Sequence, residues 1–356
     1  MPIRKNVIGC LPLLIFLFFT GVLSAQTEIG SGIILDTLMV FEDLFEDEEP
    51  IHLTLKFDIK NYQKTRSKEE YQPAELIYRI NDSLTITHDV RLRTRGEFRK
   101  KFCALPPFWL NIKDANIRSE TLQGVKKMKV VTHCRNSKIY KDYILKEYLV
   151  YKMFNIISPY SFRVRLLKMI YVDTGRDDEV TENWAFIIEP EAIMARRLEG
   201  VFIENDRLAM ATVDDEFMDR LAIFQYMIGN ADYSVTGRHN LKIFSLDNPG
   251  SIGYIPVPYD FDYTGFVNTT YAVPSENLGI KSVRERYYLG PCRSDDTYNM
   301  MIQELNDKKS EILELLQPFE YMTIKQKIEM LKYIESYFTA ASADRFIQRE
   351  LETTCR

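Results

Sequence analysis

The chain has 356 residues, of which 46% are hydrophobic and 27% charged, with a formal net charge of −5. That is long enough for one large two-lobed domain or two ordinary ones, each with a sizeable core. The acidic balance excludes general nucleic-acid binding, and the sequence contains no internal repeat or low-complexity tract.

Residues 1–25 have the pattern of an export signal. Arg4 and Lys5 form a positive start, an apolar run from Leu11 to Phe19 follows, and Leu23-Ser24-Ala25 supplies small residues before Gln26. The alternative is a membrane anchor, but the apolar run is short for a spanning helix. Cys10 lies at the start of that run and not just after the small-residue cleavage pattern, so a lipid-bearing cysteine just after cleavage is not expected. Removing Arg4 and Lys5 takes the charge from −5 to −7 in the mature form. No second stretch is apolar enough to span a bilayer, so the mature chain is expected without a transmembrane segment, in a periplasm or outside the cell. Cys103, Cys134, Cys292 and Cys355 remain. Their number permits two disulfides in three possible connectivities, or four buried thiols, and their spacing is not that of a zinc site.

The acidic segment Glu42 to Glu49 reads as a solvated loop. Strand patterns follow at 52–59, 74–80, 84–92, 108–112 and 128–132, with a turn at Asn81-Asp82-Ser83 between the second and third. Residues 137–157 read as a helix, with Tyr140, Tyr143, Ile144, Tyr148, Tyr151 and Phe154 at helical spacing. Strand patterns return at 163–172 and 184–188. The texture then turns helical at 215–228, with Asp214 as N-cap, and again near 297–316 and 324–350. This order predicts an α+β, two-lobed fold: a sheet-rich N-lobe with one long helix over 26–189, a helical C-lobe over 190–356, and a cleft between them.

The residues best suited to chemistry fall between Ile228 and Gly265. Asp232 follows a helix end and is placed to orient or accept a proton from a hydroxyl. Asn240 opens a strand, Asp260 ends another, and Asp262 lies two residues on. This is the order in which phosphoryl transfer from ATP needs a positioning carboxylate followed by metal-holding oxygens. Mixed amide and carboxylate oxygens suit Mg²⁺ or Mn²⁺ better than zinc. A helix C-cap and turn is the plain alternative for the Gly-Asn-Ala-Asp stretch.

Gly-Asn-Ala-Asp, then His-Asn opening a strand, then Pro-Tyr-Asp-Phe-Asp resembles the spore-coat-H (CotH)-like atypical kinases, a divergent branch of the protein-kinase-like fold. The likeness runs from about Leu84 to Gly265, and Arg95-Gly96 resembles the family's Arg-Gly motif over the nucleotide phosphates. It implies transfer of the ATP γ-phosphoryl group to a protein hydroxyl, with Asp232 as the catalytic Asp and Asn240 and Asp260 as metal ligands. Asp262 is an alternative ligand. The sequence departs from kinases in the eight-residue spacing of Asp232 and Asn240 and in Asp262 where a Gly is usual. Two lysines compete for the phosphate-contacting place, Lys113 and Lys129, and Glu147 on the long helix is the expected partner of one of them. Arg91, Arg93 and Arg95 alternate onto one strand face and would line the phosphate mouth or a solvated surface. Residues 266–293 hold the position of an activation segment, where Arg284 and Arg286 would suit an acidic partner. A kinase-fold binding protein without turnover, or a nucleotidyl transferase, would share these residues.

Overall fold

The computed structural model describes residues 44–81, 84–115, 117, 119–204, 208–247 and 253–356. The expected signal at 1–25, the first two residues of the acidic segment and the turn residues 82 and 83 lie outside them.

The first half is a barrel. Its strands are β1 (Ile51–Phe57), β2 (Gln72–Asn81), β3 (Leu84–Thr94), β4 (Phe108–Asn111), β5 (Lys127–Val131), β6 (Val164–Asp173) and β7 (Glu179–Ile188). They close in the order β1-β2-β3-β4-β5-β7-β6. Every neighbouring pair is antiparallel except β1 and β6, which run parallel over seven residue pairs from Ile51–Leu167 to Phe57–Asp173 and shut the ring. Leu53, Leu55 and Phe57 alternate inward and meet Leu92, Leu110, Met128 and Met169 in the barrel's own core.

This closure overturns the predicted two-lobed protein-kinase-like fold, which needs an N-terminal sheet and a helical C-terminal lobe. The strands themselves are where alternation puts them. The parallel seam between strands more than a hundred residues apart is a long-range pairing that alternation cannot encode.

β6 and β7 are buried on both faces. Leu167, Met169, Ala185 and Ile187 face the barrel, while Val164, Leu166, Phe186 and Ile188 face a second core. That core is built on the long helix, here the third after α1 (Ile59–Thr65) and α2 (Phe98–Phe102). It is α3 (Lys138–Ile157), buried along Tyr140, Ile144, Leu145, Tyr148, Leu149, Tyr151 and Phe154. The second half adds α4 (Glu191–Arg197), β8 (Gly200–Ile203), α5 (Asp215–Ile228), β9 (Leu241–Leu246), β10 (Ile255–Pro258), α6 (Asp295–Asp307), α7 (Lys309–Leu316) and α8 (Ile324–Ala341). It is not wholly helical, because β10-β9-β8 form a three-stranded antiparallel sheet. α5 starts where Asp214 caps the Phe217 N–H and stops at Gly229. α8 starts in a Thr323–Gln326 capping box. The single helix expected near 297–316 is two helices, broken at Lys308. Among the described residues no helix is long and apolar enough to cross a membrane.

Two disulfides, Cys103–Cys134 and Cys292–Cys355, select one of the three connectivities. In the described part of the acidic segment, residues 46–49 form an exposed loop as expected, but Leu44 and Phe45 are buried and anchor it, and Glu46, Asp47 and Glu48 pair with Arg163, Arg165 and Lys152. Arg163 also holds the buried Glu189, which Arg197 of α4 grips from the other side, so one ion network pins the junction of the two halves.

Candidate functional site

The loop after α5 is fastened before it carries anything. Gly229 ends the helix at φ +66, and a Cβ there would collide with the Tyr333 hydroxyl, so only glycine fits. The buried Asn230 side chain donates to Gln225 Oε1 and accepts from the Asp232 N–H at 2.9 Å. Asp232 is thereby placed with its side chain 40% exposed. Its Oδ1 meets His239 Nε2 at 3.0 Å, and its Oδ2 accepts from Asn240 Nδ2 at 3.0 Å. Asn240 Nδ2 also donates to the Asp232 carbonyl at 2.8 Å, which leaves Asn240 Oδ1 for another partner. The eight-residue spacing is therefore taken up by a closed loop in which both residues touch. Ser234 and His239 bridge its neck.

β9 and β10 extend this contact. Leu241 pairs with Pro258, and the Tyr259 N–H donates to the Asn240 carbonyl at 3.0 Å. Asp260 follows directly, and its N–H donates to the Tyr151 hydroxyl of α3. Asn240 and Asp260 both have left-handed backbone, φ 55 and 64, a conformation that Asn and Asp tolerate best among non-glycine residues. Phe261, fully buried against Tyr151 and Phe224, locks the turn between Asp260 and Asp262.

Asp262 is not where a metal ligand belongs. It is buried, and its Oδ2 accepts from Arg99 Nε at 2.7 Å and from the Tyr271 hydroxyl at 2.9 Å. Glu147 is not paired with a lysine from the sheet. Its Oε2 accepts from Arg99 Nη2 at 2.6 Å, so one buried guanidinium joins both carboxylates. Burial raises Glu147 to a pKa of about 8 despite Arg99, and burial likewise raises Asp262. Arg99 was hidden within a run of basic residues. The only signal for it was the flanking aromatic pair Phe98 and Phe102 in a five-residue helix too short for periodicity to reveal.

The two candidate lysines separate. Lys113 lies beyond the end of β4 and is exposed. Lys129, on the outer face of β5, is largely buried and pairs with Glu191 Oε1 at 3.3 Å, while Lys242 of β9 reaches the same oxygen at 3.2 Å. Desolvation lowers the Lys129 pKa to about 8, against the pull of Glu191. Burial works against the Glu191 charge, but Lys129 and Lys242 outweigh it and hold that carboxyl below its usual range.

Lys129 stands in a cavity of about 730 Å³ between the outer barrel wall and the three-stranded sheet. Arg95, Gly96, Trp109, Lys126 and Lys127 line the barrel side, with Lys242, Tyr259 and Glu191 opposite. The Trp109 ring is faced by Lys127 at 4.4 Å, Lys129 at 5.6 Å and Arg95 at 5.8 Å. Gly96 has φ +81 and open space around it, so conformation rather than crowding requires glycine. Of the predicted arginine row only Arg95 reaches the cavity. Arg91 pairs with Asp114, and Arg91 and Arg93 lie over the Tyr71 ring. Trp109, Lys127, Glu191 and Lys242 escaped the sequence reading, because pairing across β3, β4 and β5 and the docking of α4 bring them together.

In the 266–293 segment the arginines are spent internally. Arg284 donates to the Gly265 carbonyl, pairs with Glu329 and covers Tyr333, and Arg286 donates to the Met227 and Tyr333 carbonyls. They do not form a surface for an acidic partner.

As to a metal, among the described residues no group of three His, Cys, Asp or Glu side chains could hold one. The oxygens on the turn that follows the cavity's Tyr259 are Asn240 Oδ1 and the Asp260 carboxylate, hard donors of the kind that Mg²⁺ or Mn²⁺ takes together with phosphate oxygens. Compared with known proteins, the chain matches no family model and no curated protein.

Proposed function

We propose that the protein is an exported, metal-dependent phosphotransferase that takes ATP and passes its γ-phosphoryl group to a protein hydroxyl. The observation that carries this reading is a basic cavity beside the Asn240 turn in the chain. Arg95, Lys126, Lys127, Lys129 and Lys242 outnumber Glu191 and Glu204 in its wall, and its Tyr259 donates to the Asn240 carbonyl and directly precedes Asp260. Its charge suits a polyphosphate, and Trp109 and Tyr259 offer apolar surface for the rest of a nucleotide.

Lys129 and Lys242, tethered by Glu191, would hold phosphate oxygens, with Arg95 reaching in from the barrel. When bound at Asn240 and Asp260, Mg²⁺ or Mn²⁺ would neutralise phosphate charge. Asp232 would orient the acceptor hydroxyl and take its proton on a carboxylate oxygen, with Asn240 and His239 fixing the plane of the carboxylate. Most acceleration would come from position and charge neutralisation, since an ordinary Asp is a weak base. The two disulfides agree with an oxidising compartment.

A second reading has its own observation. Both Asp232 oxygens already accept hydrogen bonds, and Arg99, not a lysine, holds Glu147 and Asp262. A nucleotide-binding protein without turnover would tolerate that arrangement. Incubation with γ-labelled ATP separates the two: label on a protein acceptor supports transfer, and binding without label supports the second reading. Label from α-labelled ATP instead would mark nucleotidyl transfer.

A further inference from the structure

The arginine row of β3 continues past the cavity and belongs to a wider face. Val90, Leu92 and Thr94 are buried, so Arg91, Arg93 and Arg95 point out of the barrel. Register carries this face across two more strands. Arg91 is opposite Asn111, which is opposite Lys127, and Arg93 is opposite Trp109, which is opposite Lys129. Directly opposite residues share one side of a sheet. The outward positions from Arg91 to Arg95, Trp109 to Asn111 and Lys127 to Lys129 therefore carry three arginines and two lysines and no carboxylate. The sign reverses farther along β3 at Asp89, which is opposite Glu75 of β2, so the face has an edge.

Like charges crowded on one sheet face work against folding, and here they gather on a chain whose net charge is −5. The rest of the molecule relieves them sparingly. Lys129 is held by Glu191. Arg91 pairs with Asp114 at 2.9 Å, with side chains 48% and 67% exposed. Such an exposed pair contributes little and gives way readily to another carboxylate. Arg93 rests on the Tyr71 ring, and Arg95 and Lys127 on the Trp109 ring; among the described residues none of the three is in an ion pair. Glu69, whose field reaches Arg93, is itself taken by Lys100.

We propose that the outer face of β3, β4 and β5 docks an extended acidic segment of a protein partner, with carboxylates at alternate positions set against Arg91, Arg93 and Arg95. Alternate side chains of an extended chain are about 6.8 Å apart, so a segment lying along β3 with Asp or Glu at every second position repeats the step of the arginines. Each guanidinium can take a carboxylate through two parallel hydrogen bonds, as Arg91 already takes one oxygen of Asp114. The barrel is closed and β3 is paired on both sides, so side-chain charge and not backbone pairing supplies the recognition. The face is short and bounded by Asp89 and Glu75 on a protein of negative charge, which disfavours a long polyanion such as RNA and suits a few carboxylates. Arg95 also lines the cavity, so a segment seated on the row leads to it. That the docked protein is the phosphoryl acceptor rests on the function proposed above, while the docking itself does not.

The test is fluorescence anisotropy of a labelled peptide of alternating glutamate and serine, titrated with the full protein at low ionic strength. Arg91→Gln/Arg93→Gln should weaken binding at least tenfold. Lys325→Gln/Lys332→Gln removes the same charge from exposed positions of α8 and should leave binding within twofold. Wild type alone should hold the alternating peptide at least threefold more tightly than one of the same composition with its glutamates in a single block, a comparison that needs no variant to fold. No binding, equal loss in both double variants, or equal affinity for the two peptides would overturn the proposal. So would tighter binding of an oligouridylate of equal charge through the same two arginines. If the peptide binds as expected while wild type transfers no phosphate to any protein, the docking face is supported and the phosphotransferase reading fails by itself.

Discussion

Replacing Arg99 by Met tests the centre of the buried network. Methionine keeps an unbranched stem but removes the guanidinium that both Glu147 and Asp262 share at 2.6 and 2.7 Å. Removing one partner of a buried pair costs about 3–5 kcal/mol, because the other charge is left without compensation. With an unfolding entropy of about 0.6 kcal/mol/K for a chain of roughly 300 ordered residues, that lowers the melting temperature by about 5–8 °C. The loss should depend on pH. The folded pKa of Glu147 is raised to about 8 from 4.5, so its stabilising contribution is full below pH 4.5 and disappears as pH rises through 8. Without Arg99 both carboxyls rise further, and the variant's deficit should be larger at pH 8 than at pH 5. Urea denaturation of wild type and Arg99→Met at both pH values measures this. A deficit under about 1 kcal/mol, or one equal at both pH values, would refute the reasoning.

Lys129→Met should abolish ATP binding in a titration, whereas Lys113→Ala, on an exposed residue outside the cavity, should leave it within twofold of wild type. Burial depresses Lys129 to about 8 from 10.5, so its uncharged form is populated above pH 8; a bound polyphosphate raises that value, and calorimetry between pH 8 and 9 in buffers of differing ionisation enthalpy should show net proton uptake. Trp109→Ala should weaken nucleotide affinity about tenfold without changing urea stability, since its ring stands in the cavity wall and not in the barrel core. Cys292→Ser/Cys355→Ser opens a loop of 63 residues and should cost about 4 kcal/mol by loop entropy, with nucleotide affinity unchanged.

Local pattern made much of the scaffold legible. The tyrosine stripe from Tyr140 to Phe154 is the buried face of α3, and Asp214 is a cap because its carboxylate can reach the Phe217 N–H. The meeting of Asn240 with Tyr259 and Asp260 follows from two consecutive strands that pair antiparallel, Leu241 with Pro258. Long-range closure was not legible. Ile51 to Phe57 alternates equally well as an edge strand or as the parallel neighbour of Val164–Asp173, and only the latter makes a barrel. The same limit hid Arg99, whose charge reads as surface until two carboxylates from 48 and 163 residues away converge on it. It also misplaced Asp262, because a metal-binding oxygen and a salt-bridged one look alike in sequence.

The most direct test of the account is incubation of the oxidised protein with γ-labelled ATP, Mg²⁺ or Mn²⁺ and a generic acidic protein acceptor, beside Asp232→Ala and Asp260→Ala. The account predicts label on the acceptor or on the protein itself with wild type, and at least a hundredfold less with either variant while ATP still binds Asp232→Ala. No label from wild type, or equal label from all three proteins, would contradict it.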